Sequence, residues 1–211
     1  MAKRSVDSRK RLGKRFYNRD TLVVAEDLLG KLLVRRLDDG QRLSGIIVEV
    51  EAYLHQGDPA SHSYRGQTQR NASMFGAAGK LYVYTIHAKF CVNVVTEPME
   101  VGAAVLVRAI EPLEGISHMR HNRSTIVPQL ISTGPARLCQ ALAIDKSIDG
   151  EDLLTGDMIW LESQPTLVTS KPFAISSSPR IGISQAKDLP YRFFVTVHGV
   201  IQRASWDLVA D

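Results

Sequence analysis

Residues 31–54 read KLLVRRLDDGQRLSGIIVEVEAYL, and the fold class turns on them. Two apolar, β-branched runs flank Asp38-Asp39-Gly40, the composition of a tight reversal, so the stretch predicts an antiparallel hairpin. Upstream, RDTLVVAEDLLG (19–30) has Asp20 placed to cap a short helix and Gly30 placed to end it. Downstream, LYVYTIH (81–87), FCVNVV (90–95) and GAAVLVRAI (102–110) predict three more strands. PLEGISHMR (112–120) and GPARLCQALAI (134–144) predict helices, the second opening on Pro135. DMIWLES (157–163), FAISSS (173–178), RIGIS (180–184) and YRFFVTV (191–197) predict short strands. Strands that mostly follow one another, with helices interspersed singly, indicate an α+β fold with a largely antiparallel sheet and not a doubly wound parallel one. No repeat or low-complexity linker divides the chain, so a single domain over 17–211 is expected behind a basic, disordered tail at 1–16.

Charge narrows the functional classes. Of 26 Lys and Arg, seven fall in the first sixteen residues against Asp7 alone, which leaves 19 basic residues facing 21 acidic ones beyond. Any polyanion site on the body must therefore come from patterning and not from net charge. The tail's composition suits either solvated disorder or attraction to phosphate. It lacks an apolar core of the signal-peptide kind, and no apolar run reaches spanning length, so an intracellular protein without a membrane partner is expected. The cytoplasm or nucleoid would be its place in a bacterium, the nucleus in a eukaryote. Cys91 and Cys139 sit far apart among apolar neighbours and read as reduced core thiols.

Period two places Ile46, Val48, Val50, Ala52 and Leu54 on one side of the second hairpin strand and Glu49, Glu51 and Tyr53 on the other. The first set is an apolar face that belongs in a core. The second would be ordinary on a wet sheet face, but its company argues otherwise. Arg108 sits in the apolar run GAAVLVRAI, where an unpaired buried guanidinium costs several kcal/mol, so a carboxylate partner is expected in Glu49 or Glu51. Tyr82 and Tyr84 share one face of LYVYTIH, with His87 at its end, and Asn93 lies inside FCVNVV, where a buried amide needs hydrogen-bond partners. A carboxylate, an arginine, an amide and several aromatics on one sheet suit a planar ligand held by stacking and edge hydrogen bonds, with a carboxylate left for chemistry.

Other chemistries fit less well. GAAGK at 76–80 lacks the spacing of a phosphate loop and precedes a strand instead of a helix. His118 with His121, and Asp58 with His62, do not form zinc-type spacings, and isolated loop residues of this kind are usually polar surface, so no metal or other cofactor is expected. No G-x-S-x-G occurs and neither cysteine has an obvious histidine partner, which argues against acyl transfer. The long polar loop over 55–80 exceeds the usual connection length, as functional loops often do.

Taken in order, VEVEAYL, DPASHSYRG, QRNASMF, GKLYVYTIHAKFCVNVV, VLVRAIEPLEG and GPARLCQALAI closely resemble the alkyladenine (3-methyladenine) DNA glycosylase family over roughly residues 20–200. The resemblance implies a curved, mostly antiparallel sheet with flanking helices and a protruding β-hairpin that enters the minor groove and holds a damaged nucleotide flipped into a pocket. It implies that Glu51 activates a water for attack on C1′, with Arg108 and the backbone carbonyl of Ile181 helping to hold that water. Tyr53, His62 and Tyr84 resemble the walls of the base pocket, and Asn93 the residue that crowds the exocyclic amine of normal guanine. Arg65 and Arg70 resemble phosphate contacts. Glu49 is then left as the structural partner of a nearby cation. The implied partner is double-stranded DNA carrying alkylated or deaminated purines, handled by a monomeric, monofunctional enzyme, since no lysine falls at a matched nucleophile position.

One position departs from the family pattern. The hairpin tip resembles Y-G-M in relatives, with the tyrosine as the wedge, whereas here it reads His87-Ala88-Lys89. His87 still offers a flat face and can be cationic near neutral pH. Two other readings remain on sequence grounds: a DNA-binding relative without catalysis, and a nuclease holding a divalent ion on Glu49, Glu51 and Asp58.

Overall fold

The computed structural model describes residues 11–163, 174–197 and 200–201, and among these regular structure starts at α1 (Lys14–Tyr17) and α2 (Thr21–Leu28). Asp20 caps α2 by accepting from the N–H groups of Leu22 and Val23, and Gly30 takes a φ of 82°, so the helix ends where the sequence placed its stop. Residues 11–16, the end of the expected basic tail, are held on the core. Arg11 donates to the carbonyls of Leu154 and Gly156 at 3.0 and 2.9 Å and stacks on Trp160, and α1 follows directly. The reason is aromatic: Tyr17 is completely buried, and that burial ties the end of the basic run to the core. Residues 1–10 lie outside the described residues.

The hairpin forms as β1 (Leu32–Arg36) and β2 (Arg42–Tyr53), with Gly40 at a φ of 85° in its turn. Next come β3 (Leu81–Ile86), β4 (Lys89–Val95) and β5 (Ala104–Glu114), then α3 (Ile116–Arg123) and α4 (Pro135–Ala141). The chain closes with β6 (Ile159–Glu162), β7 (Ala174–Ser178), β8 (Arg192–Val197) and β9 (Val200–Ile201). Every strand pairing among these is antiparallel, in the order β3-β4-β5-β2-β1-β6, with β8 joining β2 and carrying β7 and β9. The α+β reading with a curved antiparallel sheet therefore holds.

A bulge in β2 does the bending. Ile47 pairs with Ile110 and Glu49 with Ala109, so Val48 has no partner in β5. Around that point β2 exchanges its other neighbour, from β1 at residues 42–46 to β8 at residues 49–51. A single alternation consequently does not run the length of the strand, and Ile46, Ile47 and Val48 are all buried. Gly45 permits the close approach of β5: a Cβ there would lie 2.7 Å from the carbonyl oxygen of Glu111.

Two element readings need correction. PLEGISHMR is not helical throughout, because Pro112, Leu113 and Glu114 continue β5 and Gly115, at a φ of 72°, turns the chain into α3. RIGIS is not a strand; residues 179–191 form an irregular segment whose polar groups pair with the sheet instead of with a ladder. α4 opens on Pro135 as expected and buries Leu138 and Cys139 against β4 and β5. Both cysteines are free and buried, and burial pushes the Cys139 thiol far up.

Candidate active site

Past the bulge, alternation resumes and directs Glu49, Glu51 and Tyr53 toward β8 and the 179–191 segment. Glu51 is completely buried. An isolated carboxylate in such a place would cost several kcal/mol, and this one has two hydrogen-bond donors and an arginine. Oε1 accepts from the backbone N–H of Ile181 at 2.8 Å and faces Arg108 Nη1 at 3.2 Å, while Oε2 accepts from the Tyr53 hydroxyl at 2.9 Å. Glu49 takes the rest of the positive charge: its Oε1 accepts from Arg108 Nε at 2.9 Å and from Arg192 Nε at 2.7 Å. Arg108 thus bridges both glutamates. Burial works against its charge, but Glu51 and then Glu49 hold its pKa above the ordinary arginine value. Burial, followed by the charge and hydrogen bond of Glu51, pushes the Tyr53 phenol far up, so it remains a proton donor at neutral pH.

Glu51 lies at the floor of a cleft of about 610 Å³ whose lining includes Tyr53, His62, Tyr82, Tyr84, Asn93 and Arg108. Period two on β3 aligns Tyr82 and Tyr84, whose rings stack 5.6 Å apart at 30°. The His62 ring meets Tyr84 edge-on at 4.6 Å, and its Nδ1 shares a 2.8 Å hydrogen bond with the Tyr82 hydroxyl. His62 comes from the long loop, fixed there by Asn71, whose Nδ2 donates to the His62 carbonyl at 2.8 Å. The residue is solvent-accessible at the cleft mouth, but burial of the ring, then the charge of Arg70, lower its pKa from 6.5 and favour the neutral imidazole. Burial pushes Tyr82 up to about 12. Asn93 faces Tyr82 across the β3–β4 ladder and donates from Nδ2 to its carbonyl at 2.9 Å.

The structure brings together Glu51, Tyr53, His62, Tyr84, Asn93, Arg108 and Ile181 in one cleft. Ile181 meets Glu51 through its N–H. Arg65 and Arg70 lie instead along an adjoining cleft of about 490 Å³, which shares His62 and Tyr82 with the first. His87 occupies the exposed tip of the β3–β4 hairpin, a two-residue turn in which His87 and Ala88 take φ values of 47° and 59°.

Sequence reasoning missed one pair. Asp58, read as polar loop surface, is completely buried and forms a two-pronged ion pair with Arg180, both N–O distances being 2.6 Å. Its signal was present in Asp58-Pro59 and Pro179-Arg180-Ile181-Gly182, single charges between conformationally restricted residues. The pairing also weighs against a metal-dependent nuclease, since Asp58, Glu49 and Glu51 are each committed to arginines.

Comparison with known proteins bears on this arrangement. A family model described as Methylpurine-DNA glycosylase (MPG) matches residues 15–199. A protein of Rhodopirellula baltica named "Putative 3-methyladenine DNA glycosylase" is 48% identical over 193 residues, covering 89% of this chain and 81% of its own. A protein of Chlorobaculum parvum with the same name is 46% identical, covering 89% of this chain and 88% of its own. The "DNA-3-methyladenine glycosylase" of Mus musculus is 43% identical over 97% of this chain and 63% of its own.

Proposed function

The chain belongs to the methylpurine-DNA glycosylase family, and from that premise we propose that it hydrolyses the N-glycosidic bond of alkylated purines in double-stranded DNA, with Glu51 activating the water. The observation that carries this reading is a buried carboxylate with two hydrogen-bond donors and an arginine ion pair in an aromatic-lined cleft. Glycosidic cleavage passes through an oxocarbenium-like state, in which a carboxylate beside the sugar both orients water and stabilises the developing positive charge. Arg108, Tyr53 and the Ile181 N–H hold Glu51 in one orientation, so little reorganisation is left for the reaction itself.

The cleft walls suit the leaving group. An N-alkylated purine is cationic, and a cation against the aromatic rings that line the cleft gains about 0.5–2 kcal/mol. A neutral His62 accepts such a base without repulsion. Asn93, which lines the cleft with its amide held on the Tyr82 carbonyl, selects against the exocyclic amine of guanine in this reading. Extrusion of the nucleotide is cheapest at a damaged pair, which adds discrimination before chemistry. His87 at the hairpin tip serves as the wedge in this reading, while Arg65 and Arg70 contact phosphates. Residues 115–144, which include the Thr133–Arg137 wall of the cleft, hold no Asp or Glu but carry Arg120, Arg123 and Arg137, a distribution suited to a polyanion.

The reading is tested by incubating the protein with methylated duplex DNA in EDTA and quantifying released bases. Free 3-methyladenine and an uncut abasic strand are expected, with no covalent adduct on borohydride reduction even though Lys89 lines the cleft. Strand cleavage, dependence on a divalent ion, or a trapped lysine adduct would each contradict it.

A further inference from the structure

Glu51 receives hydrogen bonds from residues of two separate segments, and the Ile181 N–H comes from the less regular one. The 179–191 segment has no strand or helix of its own, and Ile181 is 49% exposed, so its side chain offers little anchorage. The anchor is one residue earlier. The Arg180 guanidinium is completely buried, binds both carboxylate oxygens of Asp58, and donates from Nη1 to the Ala52 carbonyl at 2.8 Å. Its Cζ lies 4.6 Å from the centroid of the Tyr53 ring, whose hydroxyl is the second hydrogen-bond donor to Glu51. Asp58 in turn accepts from the N–H groups of Leu54 and Ala60 at 3.1 and 3.2 Å, fixing the loop that carries His62.

Every one of these contacts falls on a residue next to the carboxylate, on a donor to it, or on the loop that walls the cleft. A buried ion pair is a weak source of stability, because desolvation offsets the attraction of its charges, whereas two-pronged geometry fixes direction well. Resting on the assignment of Glu51 as the water-activating group, we propose that Asp58 and Arg180 are positioning residues for catalysis: together they hold the Ile181 N–H and the Tyr53 hydroxyl against Glu51. Neither acts on the substrate itself. Loss of the pair frees Glu51 to rotate, slowing the chemical step while leaving recognition of the flipped base largely in place.

The test compares single-turnover excision of 7-methylguanine with equilibrium binding to the same duplex. Wild type, Glu51→Gln, Asp58→Asn, Arg180→Lys and the double variant Asp58→Leu/Arg180→Met are each first checked for folding by thermal unfolding. The double variant removes both charges and leaves neither buried alone, so it retains the fold where a single variant fails. Excision should slow about 10- to 100-fold in folded variants, with binding within about threefold of wild type. Arg180→Lys, which keeps the charge but loses the fork, should fall nearer to Asp58→Asn than to wild type. A folded double variant that excises at the wild-type rate overturns the proposal. So does a variant whose excision and binding fall together in proportion to its folded fraction. A wild type that releases no base defeats the glycosylase reading itself, a result separate from either of these.

Discussion

Glu49 and Glu51 carry the same charge two positions apart, and their partners set them to different work. Glu49 lies between Arg108 and Arg192, both nearly buried, and is the counter-charge they share. Glu49→Ala would leave two guanidiniums short of a counter-charge, so urea unfolding should show a loss of about 3 kcal/mol. A loss under 1 kcal/mol would show that water or Glu51 compensates. His62 provides the pH dependence at this scale. Its folded pKa lies below the ordinary 6.5, so the unfolded state takes up the proton first. The contribution of His62 to stability is therefore complete above 6.5 and is lost as pH falls from there through the lower folded value. The melting-temperature advantage of wild type over His62→Gln should be level above pH 7 and shrink toward pH 5. An advantage that grows on acidification would reverse the assignment.

The β3–β4 hairpin carries the proposed wedge. Its tip places a histidine and an alanine at positive φ, a conformation that favours Asn-Gly, and so holds His87 outward at some local cost. His87→Ala should weaken binding to lesion-containing duplex and slow 7-methylguanine excision by similar factors; unchanged values for both would remove the wedge role. Elements of this kind were legible in the sequence because their signals are local. Asp20, Gly40 and Pro135 act within a few residues of themselves, and the helix cap, hairpin turn and helix start all formed where they stand. The β2 bulge was not legible, since Val48 loses its ladder partner through the register of β5, whose Ala109 lies 61 residues further along the chain. Nor was the irregular course of RIGIS, whose apolar alternation is overridden by Arg180 turning inward to Asp58. The same limit applies to the site. Alternation grouped Glu49, Glu51 and Tyr53, but the division of labour between the glutamates depends on Arg192 and Ile181, which approach from the far end of the chain.

Across the whole molecule, charge is distributed for a polyanion without the body being basic. Residues 115–144 are free of acidic side chains, and Lys3, Arg4, Arg9 and Lys10 precede Arg11, which is bound to the core. Removing residues 2–10 leaves that anchor intact, so the slope of log affinity against log salt should become shallower with no change in melting temperature. An unchanged slope would take the first ten residues out of DNA association. The fold, the cleft and this charge pattern converge on a single carboxylate, and Glu51→Gln tests it most directly. In single-turnover assays on a duplex with one 7-methylguanine, the variant should bind as wild type does and excise about 10²- to 10⁴-fold more slowly. A folded, DNA-bound Glu51→Gln protein that excises at the wild-type rate would contradict the account.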